Sequence, residues 1–173
     1  MKIFLFLFFF SLNFYAQSNN FPLKEQDFTK IIFNEKLGFD GDIDGEKVDV
    51  RFETVTKDPK NPENYAVKGI FTTNGKTLTC KGKLTFNYVY NMKDHPEQMI
   101  VFGDFYLSGT QPDHNDGIFK GKFRIETMKD QSQRGNYSIT TFKGVWENFE
   151  TGKEFDFWFG NFTHTDLSKV VFK

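Results

Sequence analysis

Three histidines are the side chains in this sequence best suited to bind a metal or to transfer a proton near neutral pH. His95 and His114 each follow an aspartate in a polar segment, and His164 lies near the C-terminus. If the strands around them form a simple antiparallel meander, His114 lies at the opposite end from the other two. We therefore predict no three-histidine metal site and interpret each histidine as a solvated loop residue.

Alternating aspartates offer a second possible metal site. Asp40, Asp42 and Asp44 precede Gly45 with the spacing that opens a calcium-binding loop. The last position of such a loop requires a bidentate glutamate, but Arg51 occupies it here. Because Asp44-Gly45 is also a dipeptide that favours a tight hairpin turn, we predict a hairpin and no calcium site.

The remaining residue types offer no recognisable catalytic arrangement. The one cysteine, Cys80, has no partner for an intramolecular disulfide, and we expect its thiol to be buried. The sequence contains no nucleophile elbow, no glycine-rich phosphate loop before a helix and no carboxylate pair in an apolar setting. It therefore favours a non-enzymatic protein without a cofactor; an enzyme that uses loop residues is the alternative.

The first 16 residues have the anatomy of a signal peptide. Lys2 is followed by an apolar run from Ile3 to Leu12, a short exit to Ala16 and the polar segment 17–20. The apolar run is about half as long as a membrane-spanning helix. We predict that residues 1–16 are removed, which yields an exported, soluble product in a periplasm or outside the cell. The alternatives are an uncleaved anchor and a buried N-terminal strand.

Cleavage would leave residues 17–173, an ordinary length for one domain. The formal net charge changes from −1 to −2 with the loss of Lys2, and the mature sequence contains no block of like charge. Binding to DNA or RNA would require a basic stripe. We therefore predict a single domain with no nucleic-acid partner and, after cleavage, no integral membrane segment.

From residue 39 onward, apolar residues recur with period two, the period of a half-buried strand. In residues 119–127, Phe119 and Phe123 lie on one face, and charged residues lie on the other. Asp44-Gly45 and Asn74-Gly75 each separate two such segments and favour hairpins, so neighbouring strands are antiparallel there. The predicted strands cover residues 38–43, 47–56, 65–73, 76–91, 99–109, 117–127, 137–147 and 153–162.

A short pattern recurs in these strands: an apolar residue, any residue, glycine, any residue and a second apolar residue. Glycine in mid-strand lowers stability, so its repeated use indicates strong coiling or aromatic side chains that lie across the gaps; the alternative is chance. We predict an all-β fold, an antiparallel up-and-down barrel of about eight strands with a short N-terminal helix. The glycines are Gly41, Gly69, Gly82, Gly103, Gly121, Gly144 and Gly160.

Residues 21–37, before the first strand, are predicted to be helical. Phe28 and Ile32 lie on one side of this helix, Asp27 is a candidate N-cap, and Gly38 follows as a stop signal. Some strands carry apolar residues on both faces, which predicts an outer apolar patch that receives this helix or a second subunit. These are the strands around Ile100, Phe102 and Tyr106 and around Phe155, Phe157 and Phe159 against Trp158 and Phe162.

The meander would collect three long loops, 57–64, 92–98 and 128–136, at one end of the barrel. Ligand sites in barrels lie in the mouth, so we predict a site at this end, unless the helix at 21–37 closes it. Six aromatic side chains are candidates to line a ligand pocket or, alternatively, to form solid core. They are Trp146, Trp158, Phe86, Tyr88, Phe105 and Phe123.

The strand number, the meander order and the export signal resemble the lipocalin and calycin group of barrels, whose members carry small apolar ligands. Lipocalins have Gly-x-Trp in the first strand, whereas Gly144-Val145-Trp146 lies in the seventh strand here. The stretch from Phe142 to Glu154, with Trp158, is similar to the last hairpins of avidin-like barrels. The rest of a biotin site is not identifiable, so this resemblance implies no binding residues.

Two functions are compatible with these features. The first is an exported, non-enzymatic barrel that binds a small apolar or aromatic ligand in its mouth or interior. The second is a filled barrel that acts through its surface, either as an inhibitor or protein-interaction module of the cell envelope or as a homodimer through its double-faced strands. A cavity lined by Trp146 and Phe123 would favour the first function, and a packed interior with an exposed apolar patch would favour the second.

Overall fold

The computed structural model describes residues 21–109, 117–134 and 138–161. The predicted signal peptide, residues 1–16, lies outside these ranges, as do His114 and His164. Each of the eight strands overlaps a predicted strand. The elements are α1 (Thr29–Phe33), β1 (Phe39–Ile43), β2 (Glu46–Lys57), β3 (Asn64–Thr73), β4 (Lys76–Asn91), β5 (Gln98–Gly109), β6 (Gly117–Met128), β7 (Ile139–Asn148) and β8 (Glu154–Gly160).

The strands follow one another in sequence order around a closed antiparallel barrel. β1 pairs with β2 on one side and with β8 on the other, where Asp40 lies opposite Gly160. Every strand of the barrel therefore has two hydrogen-bonded neighbours, which removes the exposed edges of an open sheet. The prediction of an all-β, up-and-down barrel of eight strands with a short helix before it is confirmed.

Phenylalanine rings fill the middle of the barrel. Phe142 on β7 is fully buried, and its ring centroid lies 5.5 Å from that of Phe39 and 4.6 Å from that of Phe159. Phe105 on β5 contacts the same ring at 5.4 Å. Cys80 is buried in this core, as expected from the sequence. The central section of the barrel is therefore packed side chain against side chain, which is common in small barrels.

Three of the mid-strand glycines show why the repeat suits this barrel. A Cβ atom on Gly103 would lie 2.3 Å from Cζ of Phe123, so the ring of Phe123 occupies the place of a side chain at residue 103. Gly121 and Gly144 face each other in the ladder between β6 and β7, and their backbones approach closely. The repeat predicts strong coiling or aromatic rings across the gaps, and the ring of Phe123 over Gly103 is an instance of the second.

The N-terminal helix is much shorter than predicted. α1 covers Thr29–Phe33 instead of residues 21–37, and it ends at Asn34, whose φ is 43°. Asparagine tolerates this left-handed conformation, which stops the helix before the predicted glycine. Asp27 Oδ1 accepts a hydrogen bond from the backbone N–H of Thr29 at 2.8 Å, but Asp27 is not the N-cap residue itself. No helix in the described part of the chain is long and apolar enough to cross a membrane.

Residues 21–38 close one end of the barrel, where β2 meets β3, β4 meets β5 and β6 meets β7. The ring of Phe28 is fully buried and lies 4.9 Å from the ring of Phe86. The guanidinium carbon of Arg134 lies 5.2 Å from the centroid of the Phe28 ring. The predicted packing of this segment on an outer apolar patch is therefore wrong, because its aromatic side chains insert into the barrel. The alternative prediction, that the segment closes the end with the long loops, agrees with the structure. We call this the sealed end.

Polar contacts also attach residues 21–38 to the strands. The hydroxyl of Tyr65 accepts a hydrogen bond from the Phe28 N–H at 3.2 Å and donates one to the Gln26 carbonyl at 3.3 Å. Lys57 Nζ donates to the same carbonyl at 2.8 Å. Burial raises the pKa of the Tyr65 phenol to about 12, because the phenolate would lose its hydration there. The sealed end thus combines aromatic packing with buried hydrogen bonds.

Candidate functional site

Tight hairpins form the opposite end of the barrel. Asp44 and Gly45 join β1 to β2, Asn74 and Gly75 join β3 to β4, and all four φ angles are positive, between 49° and 88°. Positive φ at both central positions is typical of the type I′ turn. Asp42 Oδ1 accepts a hydrogen bond from the Gly45 N–H at 2.7 Å, which uses one of the aspartates of the possible calcium loop. The predicted hairpin is confirmed, and we call this the hairpin end.

A cavity of about 590 Å³ opens at the hairpin end. Phe71 and Phe119 belong both to its lining and to the buried core, so the cavity ends where the packed core begins. The sequence predicted a site at the end with the long loops, but residues 21–38 close that end, and the cavity lies at the other. The apolar lining consists of Ile43, Phe71, Leu78, Phe119, Trp146 and Phe155. The polar lining consists of Asp44, Glu46, Thr73, Asn74, Lys76 and Thr77.

Four aromatic rings of the lining form a continuous stacked row. Phe71 and Phe119 stack at 4.4 Å with 22° between their planes, and Phe119 and Trp146 follow at 6.0 Å and 25°. Trp146 and Phe155 complete the row at 5.5 Å and 28°. All four residues have the inward phase of their strands. The row therefore gives the cavity a rigid aromatic wall, because each ring is held by its neighbours.

Two polar atoms of the cavity lining are buried without a hydrogen-bond partner among the residues that the structure describes. They are Nε1 of Trp146 and Oγ1 of Thr73. The indole nitrogen is a donor only, whereas the threonine hydroxyl can donate or accept. A buried polar group that forms no hydrogen bond raises the free energy of the folded protein. These two atoms thus have unused hydrogen-bonding capacity beside the cavity.

The rim of the cavity carries both signs of charge. The carboxylates of Asp44 and Glu46 and the ammonium group of Lys76 are the charged members of the lining. The Asn74 side-chain amide donates a hydrogen bond to Glu46 Oε2 across the two hairpins. Carboxylates therefore outnumber ammonium groups by two to one among the described residues of the lining.

A second concave region lies on the outer surface of β4, β5 and β6. Tyr88 and Tyr90 are 62% and 60% exposed, and together with Phe102 they line a groove of about 610 Å³. Asn87 Nδ2 donates a hydrogen bond to Asp104 Oδ2 at 2.6 Å within this groove. We call this the outer groove. Its remaining lining residues are Ile100, Gly103 and Lys122.

The structure does not bring the six predicted aromatic residues into one pocket. Phe86, Phe105 and Phe123 are buried core rings. Of the six, Trp146 alone lines the cavity at the hairpin end. The other two, Tyr88 and Trp158, lie on the outer surface, Tyr88 in the outer groove.

The alternation of inward and outward side chains along each strand explains why Tyr88 and Trp158 lie on the outer surface. The ladder between β4 and β5 shifts register between Phe86 and Tyr88, so Phe86 points inward although Tyr88, two residues later, points outward. Trp158 lies between Phe157 and Phe159, which are both buried, and so it has the outward phase of β8. The bulge is not readable from the sequence, whereas the alternation around Trp158 is.

Sequence reasoning missed most of the cavity lining, including Phe71, Phe155 and Thr73. A signal for these residues existed, because each has the inward phase of its strand and lies within two residues of a hairpin turn or a strand end. Inward residues close to a turn lie at the mouth of a barrel and not in its middle. The sequence analysis predicted the site at the end with the long loops, and these residues lie at the other end.

Metal-binding side chains do not cluster in the described residues. No group of three or more histidine, cysteine, aspartate or glutamate side chains is placed to hold an ion there. His95 is exposed in the connection between β4 and β5, with Nδ1 3.6 Å from Glu97 Oε1. The cavity lining contains no histidine or cysteine.

Comparison with known proteins gives no relative from which to transfer a function. No family model matches the chain, and searches of curated proteins and of solved structures find no match.

Proposed function

We propose that this protein is an exported, non-enzymatic barrel that binds a small apolar or aromatic ligand in the cavity at its hairpin end. The observation that supports the proposal is the cavity of about 590 Å³ with its stacked aromatic wall. Small-molecule sites have volumes of roughly 300 to 1,000 Å³ and mostly apolar linings with a few polar groups. Six of the twelve lining residues described above are apolar, and four of these six are aromatic.

The packed middle of the barrel restricts the ligand to the hairpin end. Phe39 and Phe105 each pack against Phe142 in the middle of the barrel, so a ligand does not pass into the core without displacing these rings. A ligand at the hairpin end would bury apolar surface of its own against Phe71, Phe119, Trp146 and Phe155, and this burial would supply most of the binding free energy. Aromatic and polycyclic ligands fit such a wall best, since they stack or pack edge to face against rings.

The first test is native mass spectrometry of the protein purified gently from its own source, followed by denaturing extraction. The expected result is a chain that begins at Gln17 and carries a stoichiometric excess of a few hundred daltons. A bare chain that also takes up no compound from a lipid and aromatic library would contradict the binding function. A chain that still begins at Met1 would contradict export by cleavage.

The second test blocks the cavity. Leu78→Trp adds a large side chain to the cavity lining, and we expect it to weaken binding of the neutral dye Nile red at least tenfold. Lys81→Trp makes the same addition on the outward face of the same strand and should leave binding unchanged. Dye fluorescence titrations of both variants and the parent protein provide the comparison. Equal affinities in all three would contradict a ligand site at the hairpin end.

A second function, a surface-acting inhibitor or protein-interaction module, is supported by the outer groove. Tyrosine is enriched in protein interfaces, and Tyr88 and Tyr90 are exposed side by side on β4. The double variant Tyr88→Ser with Tyr90→Ser removes both rings and leaves the hairpin end intact. Loss of a biological activity in this variant, with Leu78→Trp still active, would favour the surface function over the ligand-binding one.

A further inference from the structure

Charged side chains on the outer wall of the barrel are segregated by strand. The neighbouring strands β8, β1 and β2 turn six carboxylates outward and two cations, Lys47 and Arg51. From β3 to β7 the balance is reversed, with seven outward cations and three outward carboxylates. These charges are adjacent in the barrel but dispersed along the chain, so no block of like charge marks them in the sequence. The six carboxylates are Asp40, Asp42, Asp49, Glu53, Glu154 and Asp156.

We call the outward face of β3 to β7 the basic wall. Its carboxylates are Asp104, Glu126 and Glu147. Two of these are engaged within the wall, because Lys120 Nζ lies 2.9 Å from Glu147 Oε2 and Arg124 contacts Glu126. Positive charge therefore remains in excess on this face. The cations of the basic wall are Lys68, Lys81, Lys83, Lys120, Lys122, Arg124 and Lys143.

Three lysines of the basic wall form no ion pair with any residue that the structure describes. They are Lys83, Lys122 and Lys143, and all three are exposed. Lys122 and Lys143 lie directly opposite each other in the ladder between β6 and β7. Like charges in this arrangement destabilise a sheet, so an anion that binds beside them removes an unfavourable interaction. These lysines therefore favour an anionic partner.

The outer groove lies on the basic wall and supplies aromatic faces. Lys122 belongs to its lining together with Tyr88, Tyr90 and Phe102. Phe102 lies opposite Tyr88 in the ladder, and its ring centroid is 5.7 Å from that of Tyr90, with 88° between the planes. The face of an aromatic ring carries partial negative charge and attracts the slightly positive C–H groups of a sugar ring. The groove therefore suits a partner built of sugar rings.

Asp104 restricts the partner further. Its carboxylate lies in the groove lining, opposite Lys122 in the ladder, and accepts the hydrogen bond from Asn87. Because a carboxylate only accepts hydrogen bonds, a partner that binds beside it must supply a donor. The phosphodiester groups of a DNA or RNA backbone supply only acceptors, and their negative charge is repelled by Asp104. A sugar hydroxyl can both donate and accept.

The closed sheet disfavours a peptide that binds through its main chain. An extended peptide adds to a sheet by pairing with an unpaired strand edge. Every strand of this barrel already has two hydrogen-bonded neighbours, so the outer groove offers its partner side chains and no strand edge. Recognition therefore depends on the tyrosine rings, the unpaired lysines and the Asp104-Asn87 pair.

We propose that the outer groove binds an acidic polysaccharide, a chain of uronic acid units. The rings of Tyr88 and Tyr90 pack on sugar rings, Asp104 accepts a hydrogen bond from a sugar hydroxyl, and the three unpaired lysines bind uronate carboxylates. Such a chain combines C–H faces, hydroxyl donors and carboxylates in one molecule. This site is separate from the cavity at the hairpin end and does not depend on the ligand of that cavity.

The first test compares hexagalacturonate with its methyl ester, which has the same rings and hydroxyls but no carboxylates. Isothermal titration calorimetry at low and at physiological ionic strength measures both affinities. We expect the acid to bind about tenfold more tightly than the ester at low ionic strength, and salt to reduce this difference.

Two double variants locate the site. Lys122→Gln with Lys143→Gln should lower the affinity for hexagalacturonate about three- to tenfold and leave the affinity for the ester unchanged. Tyr88→Ser with Tyr90→Ser should lower both affinities about tenfold, because both ligands pack on the same rings.

Matched controls separate these effects from changes in total charge and in exposed aromatic surface. Lys47→Gln with Lys153→Gln removes the same charge at positions outside the basic wall, and Phe149→Ser removes an exposed ring outside the outer groove. Neither should change either affinity by more than about twofold. Circular dichroism establishes that every variant is folded.

Hexaglutamate and hexathymidylate distinguish a saccharide site from a general anion site. If either binds as tightly as hexagalacturonate, the basic wall recognises charge alone, and an acidic protein or a nucleic acid replaces the polysaccharide as partner. Equal affinities for hexagalacturonate and its ester would refute the role of the lysines. Absence of hexagalacturonate binding, or binding that neither double variant weakens, would overturn the site in the outer groove. Nile red binding that Leu78→Trp weakens would still support the cavity at the hairpin end in each of these cases.

Discussion

At the sealed end, residues 21–38 insert Phe28 between the strands, and Tyr65 and Lys57 hold the inserted segment by hydrogen bonds. At the hairpin end, none of the described residues enters the barrel from a separate segment, and the short turns leave a cavity between the strand ends. The same cylinder of strands therefore ends in two different ways. One end is closed by a segment outside the sheet, and the other exposes the inward side chains of the sheet itself.

This difference predicts which end contributes more to stability. Phe28→Ala should lower the free energy of unfolding by about 3 to 5 kcal/mol, because it leaves a cavity under a fully buried ring. Phe155→Ala at the hairpin end should cost less than half as much, since Phe155 is only partly buried. Urea unfolding of both variants measures the two values. Equal losses would mean that the two ends are packed equally tightly.

A smaller effect is expected from the hydrogen bonds at the sealed end. Tyr65→Phe removes the hydroxyl that contacts Phe28 and Gln26 and should cost about 1 kcal/mol of unfolding free energy. Tyr88→Phe, on the exposed outer surface, provides the control and should be neutral. If both variants unfold at the same urea concentration, the hydroxyl of Tyr65 does not stabilise the inserted segment.

The difference in unfolding free energy between the parent protein and Tyr65→Phe should also depend on pH. The pKa of Tyr65 is about 12 in the folded protein and near 10 in an unfolded chain, so the folded state holds the proton more strongly. The contribution of this group is constant below pH 10 and is lost as the pH rises from 10 toward 12. The advantage of the parent protein over Tyr65→Phe should therefore shrink between pH 9 and pH 11.5 in urea unfolding. A constant difference would contradict the burial of the phenol.

The smallest effect, and one of opposite sign, is expected at the hairpin end. Thr73→Val replaces an unpartnered buried hydroxyl by a methyl group of similar shape and should raise the unfolding free energy by roughly 1 kcal/mol in the absence of ligand. Thr72→Val on the outward face should change it less. A loss of stability in Thr73→Val would mean that its hydroxyl is already hydrogen-bonded in solution.

Most of the sheet could be predicted from the sequence, because period-two alternation and the Asp44-Gly45 and Asn74-Gly75 turns act locally. Local sequence patterns do not show that the sheet closes into a barrel. Closure requires β1 to pair with β8, which joins distant parts of the chain and depends on the coiling of every strand between them. The helix at 21–37 was overpredicted for a related reason. Its apolar residues match a helical pattern, but they are satisfied by insertion into the barrel and not by a continuous helix.

The candidate site was predictable only in part. Trp146 is the one of the six predicted residues that lines the cavity, and its inward direction follows from the alternation along β7. Tyr88 was assigned to the wrong face, since the bulge after Phe86 reverses the phase of β4 and leaves no local sign in the sequence. Which end of a barrel stays open depends on where a separate segment packs, and periodicity within strands contains no information about that.

The pairing of β1 with β8 has a consequence for how the protein is made. The ribosome produces β1 first and β8 last, so β1 has one free edge until almost the whole domain has been synthesised. During that interval β1 and the newest strand both present unpaired backbone groups, which favour association between unfinished chains. A chain cut before Glu154 would keep both edges permanently. Successful production of this barrel therefore depends on completing synthesis, or on a chaperone that covers the first strand until the last one arrives.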